Sequence, residues 1–182
     1  NAMITERGEG LRAAWRALYT DMGRRWADLD PKRRVKWAGP EMSVRSSITA
    51  RQMETWAHGQ EVFDILGVQR QEADRVKNIV VLGVNTFGWS YKVHGRAVPE
   101  TMPRLDLTAP SGAVWSFGEP GENRISGPAL EFAQVVAQTR NIADTSLLVE
   151  GPVAAEWMSI AQCFAGGAET PPSKGARHQV TR

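Results

Sequence analysis

Glu54 and His58 stand four residues apart in the segment Met53-Glu54-Thr55-Trp56-Ala57-His58-Gly59-Gln60. On an α-helix, residues i and i+4 leave the same face one turn apart, so this carboxylate and imidazole can meet at one point. Such a donor pair suits a divalent metal, zinc first, with nickel or iron as alternatives. The same spacing also serves a surface pair that satisfies itself, and the two readings stand side by side. Arg51 and Glu61 lie on much the same face, three residues before Glu54 and three after His58. They read as surface charge, with a second possible role in orienting ligands. Asp64, near the expected helix end, reads as a cap or a salt-bridge partner. His94, in Tyr91-Lys92-Val93-His94-Gly95, is a candidate replacement ligand or acid–base group. Arg140 is placed to answer a helix dipole, or to grip a substrate carboxylate. His178 falls in a polar tail and is a poor ligand candidate.

The elements that must position these residues divide the chain by period. Leu11, Trp15, Leu18, Met22, Trp26 and Leu29 recur at spacings of four and three, one apolar helical stripe. Asp30-Pro31 closes that helix, because the residue before proline is pushed out of the α region. After a loop through Ala38-Gly39-Pro40, Ser46 or Ser47 is expected to cap a second helix, which runs to about Leu66 and stops at Gly67. A third helix is predicted over Glu72–Phe87. The period then changes: Arg104–Thr108 alternates, Pro110-Ser111-Gly112 turns, and Ala113–Phe117 alternates again, a hairpin signature. Two strand–helix units follow. Arg124–Pro128 leads into a helix with Leu130, Phe132, Val135 and Val136. Leu147–Pro152 leads into one with Val153, Trp157, Ile160 and Phe164. In both, a short strand ends at Gly-Pro and the proline is expected in the first helical turn. The fold class is α+β, with helical residues 4–95, an α+β domain over 96–166 and a disordered tail over 167–182.

At 182 residues and 42% hydrophobic content, the chain can bury one respectable core or two small ones. A net charge of +2 implies no general nucleic-acid or membrane field. The local cluster Arg24, Arg25, Lys32, Arg33, Arg34 and Lys36 reads as a solvated helix end and loop, since no aromatic platform accompanies it. The single cysteine, Cys163, rules out an intramolecular disulfide framework and fits a reducing cytoplasm. It sits in an apolar pattern as a small buried hydrophobe rather than a nucleophile. No stretch approaches about 18 apolar residues, so no membrane span is expected, and no signal peptide is visible. Asn1-Ala2 before Met3 reads as a cloning scar. The seven tryptophans read as core and interface anchors.

The Met53–Gln60 block resembles a known group, together with Met42-Ser43-Val44-Arg45-Ser46, Ser126-Gly127-Pro128-Ala129-Leu130, Ile142-Ala143-Asp144-Thr145, Glu150-Gly151-Pro152-Val153-Ala154 and Glu156-Trp157. The chain is similar to the mycothiol-dependent maleylpyruvate isomerase-like proteins of the DinB metal-binding superfamily, and more closely to their actinobacterial metal-binding branch. The likeness runs from about Leu11 to Gly166. It implies an N-terminal four-helix bundle holding a divalent metal and a C-terminal sterol-carrier-like α+β domain. It places two of three metal ligands on Glu54 and His58. The third ligand implied is a histidine on the second bundle helix, and no residue here matches it. Only three histidines occur, none before His58. Roughly two bundle helices are therefore expected to be missing, through a late start or a shortened branch. A homodimer would repair both the ligand deficit and the uncovered stripe of Trp15, Leu18 and Trp26.

Two functional readings follow. One is a metal-dependent isomerase or transferase acting on a small molecule, with mycothiol as the thiol implied by the resemblance. The other is a non-catalytic dimeric scaffold or small-molecule carrier that has lost a complete metal site. Neither nucleic acid nor membrane is expected as a partner.

Overall fold

The computed structural model describes residues 5–36 and 41–180; the expected loop at Ala38-Gly39-Pro40 lies outside them. The chain forms two units, divided between Ile48 and Thr49. The change of sequence period falls near residue 95 instead, inside the second unit. The fold is of the α+β class that the sequence predicts.

In the first unit, α1 (Gly8–Ala27) carries the predicted stripe and buries none of its residues. It ends ahead of Leu29, and Asp30 Oδ1 accepts from the Lys32 amide at 2.9 Å, which turns the chain at Asp30-Pro31. A two-stranded antiparallel ribbon follows, β1 (Arg34–Val35) with β2 (Met42–Ser43). Strands of two residues are too short to show a period, and the sequence gives no sign of them. Helix α2 (Val44–Leu66) starts earlier than expected. Ser43, rather than Ser46 or Ser47, has the capping role: its Oγ accepts from the Ser46 amide at 3.1 Å. Gly67, in the left-handed region at φ 62°, ends the helix as predicted.

In the second unit, the predicted third helix is broken. A 3-10 turn (Asp74–Val76) leads into α3 (Lys77–Asn85), and after Thr86 the chain enters α4 (Phe87–Val93). The break has a local cause. The Thr86 hydroxyl donates to the carbonyls of Leu82 and Gly83 at 2.8 and 3.1 Å, competing with the helical ladder at a β-branched residue. The predicted hairpin is β3 (Arg104–Thr108) and β4 (Val114–Phe117), antiparallel. Then come β5 (Arg124–Pro128), α5 (Ala129–Val136), β6 (Leu148–Glu150) and α6 (Pro152–Ile160). The sheet order is β4-β3-β5-β6, with β5 parallel to β3 and antiparallel to β6. Pro152 occupies the first turn of α6, as expected, but Pro128 does not enter α5. At ψ 127° it is the last strand residue and the N-cap, so the two Gly-Pro units differ. Helix α6 stops at Ile160, short of Phe164, because Ala161 turns out of the helix at ψ 128°.

The period-two pattern buries Leu105, Leu107, Trp115 and Ile125 on one sheet face. The helical side of the core is aromatic: Phe87 meets Tyr91 and Trp157 edge-on at 5.2 and 5.0 Å, and Phe132 meets Trp157 at 5.6 Å. Gly83 lets α3 approach α5, since a Cβ there would stand 2.8 Å from Val136 Cγ2. Among the described residues after Gly166, where the composition suggests a disordered tail, there is no helix or strand, and several hydrogen bonds tie the segment to the rest of the second unit. Gln138 and Asn141 donate to the carbonyls of Glu169 and Pro172, and the Val180 amide donates to the Asp64 carbonyl at 2.9 Å.

Candidate metal pair on helix α2

Helix α2 turns Met53, Trp56, Gln60 and Asp64 inward at spacings of three and four, which fixes its rotation. The returning segment after Gly67 holds it there. Arg70 lies over the rings of Trp56 and Phe63 at 5.4 and 5.5 Å, and its Nη1 donates to the Trp56 carbonyl at 2.8 Å. Glu72 completes the clamp, receiving the Trp56 indole N–H at 2.9 Å and standing 3.0 Å from Arg70 Nε. The other carboxylate oxygen of Glu72 is buried with no hydrogen-bond partner. Burial draws the Arg70 pKa downward against the opposing charge of Glu72. Nothing in the sequence announces this clamp, because Arg70 and Glu72 sit in an aperiodic turn.

With α2 so fixed, its opposite face carries Glu54 and His58. Their Oε2 and Nε2 atoms lie 3.4 Å apart, with side chains 54% and 76% exposed. That distance exceeds an ordinary N–H···O bond of about 2.7–3.2 Å. It matches the edge of a tetrahedron, about 3.3 Å, built on zinc–ligand bonds of about 2.0–2.1 Å. The pair is an exposed i, i+4 carboxylate–imidazole ion pair, and its separation is also one that two neighbouring zinc ligands could take. The donor count does not complete one: among the described residues, no group of three His, Cys, Asp or Glu side chains could hold a metal ion.

The remaining sequence candidates are occupied elsewhere. Arg140 makes two hydrogen bonds to Asp64, both 2.7 Å, and a third to the Thr139 carbonyl. It is thus held against the end of α2 rather than presented to a substrate, and Asp64 is the salt-bridge partner its sequence position suggests. Burial pushes the Asp64 carboxyl up, but hydrogen bonds from Arg140 and Gln60 and the guanidinium charge outweigh it, so its pKa is lowered. His94 Nδ1 lies 2.8 Å from the Ser90 carbonyl, a local contact at the end of α4. His178 Nδ1 lies 2.9 Å from the Gly175 carbonyl. Glu61 is paired with Arg177 at 2.7 Å, and Arg51 is exposed. Cys163 is buried just past α6. Burial, reinforced by the Glu54 carboxylate, pushes its thiol up to about 12, so it is no nucleophile.

Comparison with known proteins agrees with the resemblance read from the sequence. The family model of the mycothiol maleylpyruvate isomerase N-terminal domain matches residues 1–63, the stretch that contains Glu54 and His58. Two Mycobacterium tuberculosis proteins, uncharacterized protein Rv0036c of strain ATCC 25618 / H37Rv and uncharacterized protein MT0041 of strain CDC 1551 / Oshkosh, are each 36% identical over 166 residues. The aligned region covers 91% of this chain and 63% of each relative's length. No solved structure matches. Among the described residues, no helix is long and apolar enough to cross a membrane.

Proposed function

We propose that this chain is a divalent-metal-binding protein related to the mycothiol-dependent maleylpyruvate isomerases, with Glu54 and His58 as its metal ligands. The observation that carries the reading is the convergence of a carboxylate and an imidazole on one exposed helix face, with Oε2 and Nε2 3.4 Å apart, within the stretch that the family model matches. Zinc suits this carboxylate–imidazole pair best, and nickel or iron can use the same donors. A metal held there with open positions supplies Lewis acidity and lowers the pKa of a bound water or thiol. The chain's own residues account for holding and presenting that pair. The Arg70–Glu72–Trp56 clamp fixes the rotation of α2, and the Asp64–Arg140 pair fixes its C-terminal end.

A catalytic zinc normally takes three protein ligands. Glu54 and His58 are two, and the described residues bring no third donor to them, so no isomerase or thiol-transfer step is assigned to this pair. Mycothiol is the thiol suggested by the family relation, and a small-molecule acid is the class of substrate. The second reading, a non-catalytic scaffold, draws on a separate observation. Trp15 and Leu18 are 52% and 53% exposed on α1, an apolar stripe presented to solvent. Isothermal titration with zinc separates the two. Binding that disappears in His58→Ala and in Glu54→Gln supports the metal reading, whereas zinc uptake unaffected by both substitutions removes it.

A further inference from the structure

The polar side chains that follow α5 bond to one stretch of the chain's own backbone. Gln138 Nε2 donates to the Glu169 carbonyl at 3.2 Å, and Asn141 Nδ2 donates to the Pro172 carbonyl at 2.7 Å. Asp144 Oδ2 accepts from the Gly175 amide at 2.8 Å. In all three bonds the partners stand 31 residues apart. The two segments therefore run side by side in the same direction, and both advance in steps of three. Three residues per turn is the repeat of the 3-10 turn (Ile142–Asp144) on one side. It is also the repeat of the polyproline II helix, which Pro171-Pro172 favours on the other. Gln162 adds a rung at the start of the row: its Nε2 donates to the Gly167 carbonyl and its Oε1 accepts from the Glu169 amide, both at 2.9 Å. Every rung joins a side chain of the body to a main-chain group of the strap, so the row holds the strap by its backbone.

We propose that residues 167–180 form a latch: a strap that docks on this row as one cooperative unit, opens as one unit ahead of the core, and when docked fastens the C-terminal end of α2. The far end of the strap makes that last connection. Arg177 meets Glu61 at 2.7 Å, and the Val180 amide donates to the Asp64 carbonyl at 2.9 Å. The end of α2 is thereby tied to the chain that follows α6. This is independent of whether Glu54 and His58 bind metal.

Two features give the latch two states. The body is built for the docked form: Gln162 and Gln138 are 1% and 8% exposed, so departure of the strap leaves buried amide groups unpaired. Gln138 is also the one non-glycine residue at positive φ among the described residues, at 54°. That backbone strain is offset by its amide bonds to the carbonyls of Ala161 and Glu169. The strap itself is held lightly. It has no helix or strand, and Pro171 and Pro172 are its only residues that are not exposed. A few hydrogen bonds must then offset the conformational entropy of the whole segment, which places the strap at the low-stability end of the fold.

The test is amide hydrogen exchange on the full chain, read at Glu169, Gly175 and Val180, with the Ala133 and Val136 amides of α5 as the core reference. The expected result is one common protection for the three strap amides, above that of an unstructured peptide and below that of α5. Asn141→Asp keeps the oxygen that accepts from the Ala143 amide at 2.8 Å and loses only the donor to Pro172. It should speed exchange at all three strap amides about tenfold and leave Ala133 and Val136 unchanged. Pro171→Gly/Pro172→Gly, which changes the strap alone, should speed the same three by loosening the open form. If Asn141→Asp also loosens α5, the proline double variant decides. Acceleration confined to one strap amide would show independent rungs and overturn the latch. Wild-type strap protection equal to that of α5, or none at all, overturns it too. So does exchange that neither variant alters.

Discussion

Glu54 and His58 could be read from spacing alone because an i, i+4 pair on a helix needs no tertiary information to converge. The partners that fix neighbouring side chains could not. Arg140 finds Asp64 across 76 residues of sequence, and Arg70 reaches back to Trp56 and Phe63 around an aperiodic turn. The Asp64–Arg140 pair has side chains only 11% and 13% exposed, so removing one partner strands a poorly solvated charge. Arg140→Met is expected to cost about 3 kcal/mol in urea unfolding. A loss below about 0.5 kcal/mol would assign the pair to ordinary surface charge. Because the folded Asp64 pKa lies below its ordinary value of 3.8, its stabilisation is present above pH 3.8 and is lost as pH falls through the folded value. Wild type should therefore lose its advantage over Asp64→Asn in that acid range. An advantage that grows with acid would reverse the sign. Cys163, with its thiol raised to about 12, should resist alkylation at pH 8 until the protein is unfolded. Rapid labelling of native protein would place it at the surface.

At the scale of elements, the hairpin and both strand–helix units were legible because period-two alternation and Gly-Pro punctuation are local signals. The division of the third helix was not, since the Thr86 hydroxyl bonds that break it leave the apolar pattern intact. Pro128 was misplaced for a related reason. Proline's fixed φ suits a strand end and a helix start equally, and its pairing opposite Thr108 in β3 decides for the strand. The close approach of α3 and α5 at Gly83 is likewise invisible before the fold is known. Gly83→Ala should destabilise by about 1–3 kcal/mol, because the new methyl meets Val136 and Phe132 in a packed core. A stabilised variant, the usual result of alanine in an open helix, would show that α3 and α5 do not approach closely there.

For the molecule as a whole, the exposed faces matter as much as the core. Helix α1 buries none of its residues, although its stripe is patterned for packing. Trp15→Lys should shift the unfolding free energy by no more than about 1 kcal/mol, since the indole is 52% exposed and its ring contact is with Tyr19 one turn along the same helix. A large loss would mean that another surface covers α1 in solution. The sequence could display this stripe without showing what faces it, since periodicity marks an apolar face and not its partner. The same holds for the outward strip of α2, which carries Arg51, Glu54, His58 and Ile65. The central claim, that Glu54 and His58 bind metal, is tested most directly by elemental analysis of protein purified with zinc, wild type beside His58→Ala. Zinc retained by the wild type and lost in the variant is the expected result. Equal zinc in both, or none in either, would contradict it.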